Sequence, residues 1–163
     1  MKSRTGLLLA VSVILLLATG LWGCGGDEPG PHNDQERLAD RIIRGWLAGD
    51  IQPALDAVPP DYTDLLKQHM PELTDDALAE VVAQPLREAL GGFEYVGARA
   101  VELFYDTLGS PDGRCRVLYW GSLSYDTEGS KTTVTRTRVD AEEHGGLAFR
   151  EIDGDWYWDL SLP

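Results

Sequence analysis

Two arginines of one predicted strand are the residues best suited to hold a charged ligand. Val134, Arg136 and Arg138 are spaced two residues apart, so a β-strand would place all three side chains on one face. In a chain with a formal net charge of −13, two such cations could receive an anionic ligand. The alternative is that both arginines pair with Glu or Asp of neighbouring strands on a solvent-exposed face.

The residue types needed for other site chemistries are present but are not grouped. The three histidines, His32, His69 and His144, have no second His or Cys at metal-ligand spacing. No Gly-x-Ser-x-Gly motif, phosphate-binding glycine loop or dinucleotide motif occurs. Cys115 alternates with Val117 and Tyr119, which predicts a core thiol, and buried cysteines are usually unreactive. We therefore expect no metal, no cofactor and no catalytic nucleophile.

Length and charge limit the classes of function. The 163 residues suffice for one domain after removal of any leader, and five Trp, six Tyr and three Phe supply apolar area for a core. A chain this acidic is repelled by the phosphates of nucleic acids and by anionic lipid headgroups. Nucleic-acid binding is therefore disfavoured.

Helical patterns fill the first half of the chain. Asn33 can cap a first helix, with Glu36 completing a capping box, and Gly49 should end it. Shorter helices are predicted over 53–58 and 62–70. Thr74 can cap a longer helix that runs to Leu90 and that Pro85 should kink or interrupt.

Strand patterns fill the second half. Five strands are predicted over 93–105, 114–125, 131–139, 147–152 and 155–162. Asp153-Gly154 predicts a two-residue turn that opposes Phe149 to Trp158, Arg150 to Tyr157 and Ala148 to Asp159. One face of this hairpin would be apolar, and the other, with Asp159, polar.

The first residues carry a processing signal. Lys2 and Arg4 precede an apolar run over 6–21, as in a secretory signal peptide. The following Leu21-Trp22-Gly23-Cys24 resembles the bacterial lipobox, which implies cleavage before Cys24 and lipidation of its thiol. Residues 1–23 would then be the signal peptide, and residues 24–33 a lipidated Cys and flexible tether. An ordinary signal-peptidase cut and an uncleaved anchor remain alternatives.

The remainder, residues 34–163, resembles the NTF2-like superfamily. The resemblance rests on Trp46-Leu47-Ala48-Gly49-Asp50, on the closing Glu151-Ile152-Asp153-Gly154-Asp155-Trp156, and on helices preceding strands. It implies an α+β fold in which N-terminal helices pack on a curved antiparallel meander sheet, often around a cone-shaped pocket. Members include isomerases, dehydratases, transport factors and binding modules, so the resemblance implies no single activity.

Members that are enzymes place Asp, Tyr or His in the pocket for proton transfer. The corresponding residue types here are Tyr95, Asp106, Tyr119, Tyr125 and Asp159. The alternative is that the tyrosines pack in the core and that Asp106 and Asp159 contact solvent. Of these residues, Tyr119 and Tyr125 are candidates for binding a ligand, together with Arg136 and Arg138.

We expect a lipid-anchored protein of the cell envelope, outside the cytoplasm, whose domain binds without catalysis. Its partners would be the membrane, through the lipid on Cys24, and a small ligand or an envelope protein. One alternative is an isomerase or dehydratase that transfers protons in the pocket. Another is a structural accessory of the envelope without any ligand, which a closed apolar interior would favour.

Overall fold

The computed structural model describes residues 28–69, 71–72, 74–91, 93, 97–109 and 112–160. Its helices are α1 (Asp34–Ala48), α2 (Gln52–Asp56), α3 (Pro60–His69), α4 (Asp75–Leu90) and α5 (Arg138–His144). Its strands are β1 (Arg99–Gly109), β2 (Arg114–Thr127), β3 (Ser130–Arg136), β4 (Leu147–Ile152) and β5 (Asp155–Trp158). The strands form one antiparallel sheet that is not closed, so the predicted α+β class is confirmed.

Helix α1 begins and ends where its capping residues predict. The side chain of Asn33 accepts a hydrogen bond from the backbone N–H of Glu36 at 2.8 Å, and Gly49 ends the helix at φ 78°. The reciprocal bond of a capping box is not made. Glu36 instead accepts from the backbone N–H of His32 at 2.7 Å and from the Thr107 hydroxyl at 2.9 Å. This buried carboxylate therefore ties α1 to β1.

The longer helix α4 is uninterrupted across Pro85. The Thr74 side chain caps it by accepting from the N–H of Ala77 at 3.2 Å, as predicted. The two preceding helices, α2 and α3, lie within a few residues of their predicted bounds.

Strand β2 is the centre of the sheet. β1 pairs with it from Arg99↔Ser124 to Gly109↔Cys115, with a register shift between Ala100 and Glu102. On its other edge, residues 114–117 pair with β4 and residues 121–127 pair with β3. Helix α5 separates β3 from β4 in the chain. It therefore connects the strand that pairs with residues 121–127 of β2 to the strand that pairs with residues 114–117.

The strand predicted over 131–139 ends early, at Arg136. The Thr137 side chain accepts from the N–H of Asp140, and the Asp140 carboxylate accepts from the N–H of Thr137 at 2.7 Å. This capping box starts α5 at Arg138. The prediction that Arg138 extends along the same strand face as Arg136 is therefore wrong.

The closing hairpin has the predicted register. Phe149 pairs with Trp158, Arg150 with Tyr157, and Asp153 and Gly154 form the turn at φ 54° and 93°. The N–H of Asp159 donates to the carbonyl of Ala148 at 2.8 Å, which continues the register.

The core lies between the helices and one face of the sheet. Its side chains are almost all apolar, which agrees with a packed interior. The largest fully buried ones are Ile42, Ile43, Leu86, Leu90, Phe93, Leu103, Tyr105, Tyr119, Leu123, Leu147 and Phe149.

The signal segment and Cys24 lie outside the described residues, so lipidation remains a prediction. Within the part of the chain that is described, no helix is long and apolar enough to span a bilayer. The last residues of the predicted tether contact the domain, because the N–H of Gly30 donates to the carbonyl of Leu103 at 2.8 Å.

Candidate functional site

The structure brings two of the predicted binding residues together inside the core. Arg136 is 4% exposed and Tyr119 is fully buried. Nη1 of Arg136 donates to the Tyr119 hydroxyl oxygen at 3.0 Å. Arg136 lies opposite Gly121 on β2 and shares a strand face with the half-buried Val134. The alternative, that the arginines pair with acids on an exposed face, is wrong for Arg136, because this face of β3 turns inwards.

Two aromatic rings enclose the guanidinium. Its central carbon lies 4.5 Å from the ring centroid of Tyr119 and 5.8 Å from that of Phe93. The two rings meet edge to face, with centroids 5.7 Å apart and an interplanar angle of 76°. The negative faces of aromatic rings attract a cation, which offsets part of the cost of burying this charge.

The C-terminus of α4 supplies the remaining contacts. Nη1 of Arg136 also donates to the carbonyl of Leu90 at 3.3 Å, and the Tyr119 hydroxyl donates to the carbonyl of Ala89 at 2.7 Å. The last carbonyls of a helix lack intrahelical donors and carry partial negative charge. We call Arg136, Tyr119, Phe93 and the carbonyls of Ala89 and Leu90 the Arg136 cluster.

One edge of the guanidinium is unused. Nε and Nη2 of Arg136 are closed to solvent and have no hydrogen-bond partner among the described residues. No carboxylate of those residues lies within ion-pair distance of Arg136 either. Buried polar groups normally have partners, because leaving one unpaired costs about 1–3 kcal/mol, and more for charged groups.

Arg138 does not belong to this cluster. At the start of α5 it pairs with Asp106 and with Glu142 at 3.3 Å, and it lies over the ring of Trp120 at 5.4 Å. Its side chain is 48% exposed. Tyr125, the fourth binding candidate, is half-buried opposite Thr132 on β3. It lies four residues beyond Gly121, or about 13 Å along β2.

The candidate acid–base residues are dispersed. Asp106 is partly exposed beside Arg138, as expected for a solvent contact. Asp159 is only 2% exposed, so its predicted contact with solvent is wrong. Its Oδ2 lies 3.7 Å from Nε of Arg114, and its backbone bond to Ala148 holds it against the sheet. Tyr95 lies outside the described residues.

A third buried tyrosine, Tyr105, joins β1 to α1. Its hydroxyl donates to Oδ1 of Asp40 at 2.6 Å, and Nε of Arg44 donates to the same oxygen at 2.7 Å. Burial raises the pKa of Tyr105 above its usual value, and the bond to Asp40 raises it further. Tyr105 is therefore held as a neutral hydrogen-bond donor and does not serve as a base.

Cys115 is buried and forms no disulfide, as predicted. Burial raises the pKa of its thiol to about 11. Such a thiol is almost wholly protonated near neutral pH, and the thiolate is the nucleophilic form. The geometry therefore gives Cys115 a packing role.

No group of three His, Cys, Asp or Glu side chains that could hold a metal ion occurs in the described ranges. A shallow, open depression of about 280 Å³ lies between α1 and the closing hairpin. It is lined by Asp34, Arg37, Leu38, Arg41, Gly154, Asp155 and Trp156. Arg37 pairs with Asp34 at 2.6 Å, and these two side chains are 59% and 84% exposed, so solvent weakens their charges far more than it weakens the buried charge of Arg136.

Phe93 and the end of α4 are members of the cluster that sequence reasoning missed. Leu90 closes the apolar stripe of α4, but only the fold shows that its carbonyl meets a strand 46 residues later. The sequence did carry one signal for the position of Arg136, because the residue lies two positions after Val134, an apolar residue that marks the inward face of the strand.

Comparison with known proteins identifies no relative, since no protein family, curated protein sequence or solved structure matches this chain. The fold and the Arg136 cluster are therefore the basis for assigning a function.

Proposed function

We propose that this protein is a lipid-anchored binding protein of the cell envelope, whose domain holds a small anionic ligand at Arg136 without transforming it. The observation that carries the binding role is the buried guanidinium with two nitrogens that no described residue partners. The anchor is proposed from the signal segment and Cys24. The α+β architecture is compatible with an NTF2-like domain, which we propose as its fold family.

The surroundings of Arg136 favour binding over catalysis. Catalysis by proton transfer needs an acid or base within hydrogen-bond reach of the reacting group. Among the described contacts of Arg136, the acid–base group is the Tyr119 hydroxyl, and it already donates its proton to the carbonyl of Ala89 at 2.7 Å. The other contacts are two aromatic rings and a helix carbonyl. The carboxylates considered for catalysis, Asp106 and Asp159, lie beside Arg138 and Arg114.

An anion supplies what the cluster lacks. A buried charge is tolerated when it is paired and its remaining hydrogen bonds are made. The helix C-terminus and the aromatic rings provide part of this compensation on the Nη1 side. An anion at Nε and Nη2 would complete it, and would bind the folded protein but not the unfolded chain.

Two fluorinated anions test this function in ¹⁹F NMR spectra of the full-length protein in detergent. The probes are 4-fluorobenzoate and monofluorophosphate, each incubated until its spectrum is constant. We expect at least one probe to bind wild type and the exposed control Arg138→Gln, and to lose that binding in Arg136→Gln. Binding of neither probe to folded wild type, or equal binding to Arg136→Gln, would overturn the proposal.

A further inference from the structure

We infer that the ligand of the Arg136 cluster is a small monocarboxylate with an apolar remainder. This inference rests on the proposed binding function and names its ligand class. It depends on the identity of the two unpartnered nitrogens, on the charge around them and on the two aromatic rings against the guanidinium.

The unused nitrogens form one continuous edge of the guanidinium. Nε and Nη2 are bonded to the same carbon and point their N–H bonds in parallel to one side. This spacing matches the two oxygens of a carboxylate, which accept two parallel hydrogen bonds. Nη1, the nitrogen outside this edge, is already occupied by Leu90 and Tyr119.

The local charge favours one negative charge over two. Within the Arg136 cluster as defined, the guanidinium carries the one full charge, and the Asp140 carboxylate outside it already interacts electrostatically with Arg136. The carbonyls of Ala89 and Leu90 end α4 and carry partial negative charge, which repels a dianion such as phosphate. Phosphate also needs more donors for its oxygens than one guanidinium edge provides. A monocarboxylate matches both the charge and the donor count.

The two aromatic rings against the guanidinium favour an apolar remainder on the ligand. Phe93 and Tyr119, whose rings lie against the guanidinium, are 1% and 0% exposed. A polar substituent placed among these side chains would lose its hydrogen bonds to water. An aromatic or aliphatic carboxylate loses none and gains contact with the two rings.

The decisive variant is Arg136→Lys, which keeps the charge and one donor for the end of α4 but removes the two-nitrogen edge. In wild type and in the exposed control Arg138→Lys, we expect 4-fluorobenzoate to bind and monofluorophosphate not to bind. In Arg136→Lys we expect binding of 4-fluorobenzoate to weaken by about tenfold or more, with the fold retained by circular dichroism.

Binding should also depend on the ionisation of the probe. A carboxylate that accepts two hydrogen bonds is lost when it is protonated, so the affinity for 4-fluorobenzoate should fall below about pH 4. Benzyl alcohol, which has the ring without the charge, should not compete with it.

Four results would overturn the inference. Equal affinity of wild type and Arg136→Lys for 4-fluorobenzoate would show that the edge is not used. Binding of monofluorophosphate alone would reject the carboxylate but leave the proposed anion-binding function standing, whereas binding of neither probe would reject both. The fourth concerns Glu94, a carboxylate outside the described residues. If Glu94→Gln and Arg136→Gln destabilise equally and not additively, Glu94 is the partner of the edge.

Discussion

Two arginines separated by one residue show how much the side-chain environment depends on the backbone. Arg136 is enclosed in the core, whereas the side chain of Arg138 is 48% exposed and pairs with acids. The pairing of Arg138 is of the surface kind, which contributes at most about 1 kcal/mol. The burial of Arg136 is costly unless its donors are used, so its position is evidence of a specific role.

The thiol of Cys115 provides a test of core packing at the residue scale. Because burial raises its pKa to about 11 and closes access, a disulfide reagent at pH 8 should react slowly with the folded protein. We expect the rate to rise by about a hundredfold or more in urea, measured on Cys24→Ser so that one thiol reports. A native rate close to the denatured one would show that the thiol is accessible.

At the scale of elements, the closing hairpin depends on one glycine. Gly154 has φ 93°, and a Cβ at this position would meet nothing within 4 Å, so any cost of a side chain comes from the backbone. We expect Gly154→Val to lower the free energy of unfolding by about 1–2 kcal/mol. Urea denaturation measures this change.

Gly109 is the matched control for this substitution. A Cβ there also meets nothing within 4 Å, and its φ lies outside the strained range. Gly109→Val, at the end of β1, should therefore change the stability by about 0.5 kcal/mol or less. Similar losses in both variants would mean that the turn is not the cause.

Helix α5 should make a pH-dependent contribution to stability. The hydroxyl of Thr137 donates to Asp140 and lowers the pKa of that carboxyl below its ordinary 3.8. A depressed pKa gives stabilisation that is present above pH 3.8 and is lost as the pH falls through the folded-state value. Asp140→Asn should therefore be less stable than wild type at pH 6, and this difference should shrink as the pH falls below 3.8.

Urea unfolding of wild type and Asp140→Asn across this pH range measures the difference in their free energies of unfolding. The contributions of the other titrating groups are the same in both proteins and largely cancel. Thr137→Val, which removes the hydroxyl donor, should show a smaller pH dependence than wild type. A difference between wild type and Asp140→Asn that stays constant with pH would contradict the role of the capping box.

Elements with local signals could be predicted from the sequence, and long-range contacts could not. Asn33, Thr74 and Asp153-Gly154 act within four residues, and each marks an observed cap or turn. Thr137 and Asp140 form a capping box, which is also a local signal. The alternating pattern before them nevertheless led to a predicted strand that continued past this cap. The Arg136 cluster needs α4 and β3 to meet, which no local pattern encodes.

At the scale of the whole molecule, the proposed anchor can be tested through the two cysteines. If Cys24 is lipidated, the wild-type chain should incorporate labelled fatty acid and sediment with membranes, and Cys24→Ser should do neither. Cys115→Ser is the matched control and should behave as wild type, because that residue is buried in the domain. Equal labelling of wild type and Cys24→Ser would contradict the anchor.

The division of one β2 edge between β3 and β4 has a consequence for local unfolding. Since β3 and the β4–β5 hairpin pair with separate parts of β2, either can detach while the other stays bound. The long β1–β2 pairing survives both events. Amide hydrogen exchange should therefore show that β3 and the β4–β5 hairpin open separately while β1 and β2 stay paired. The slowest exchange is expected in β1 and β2.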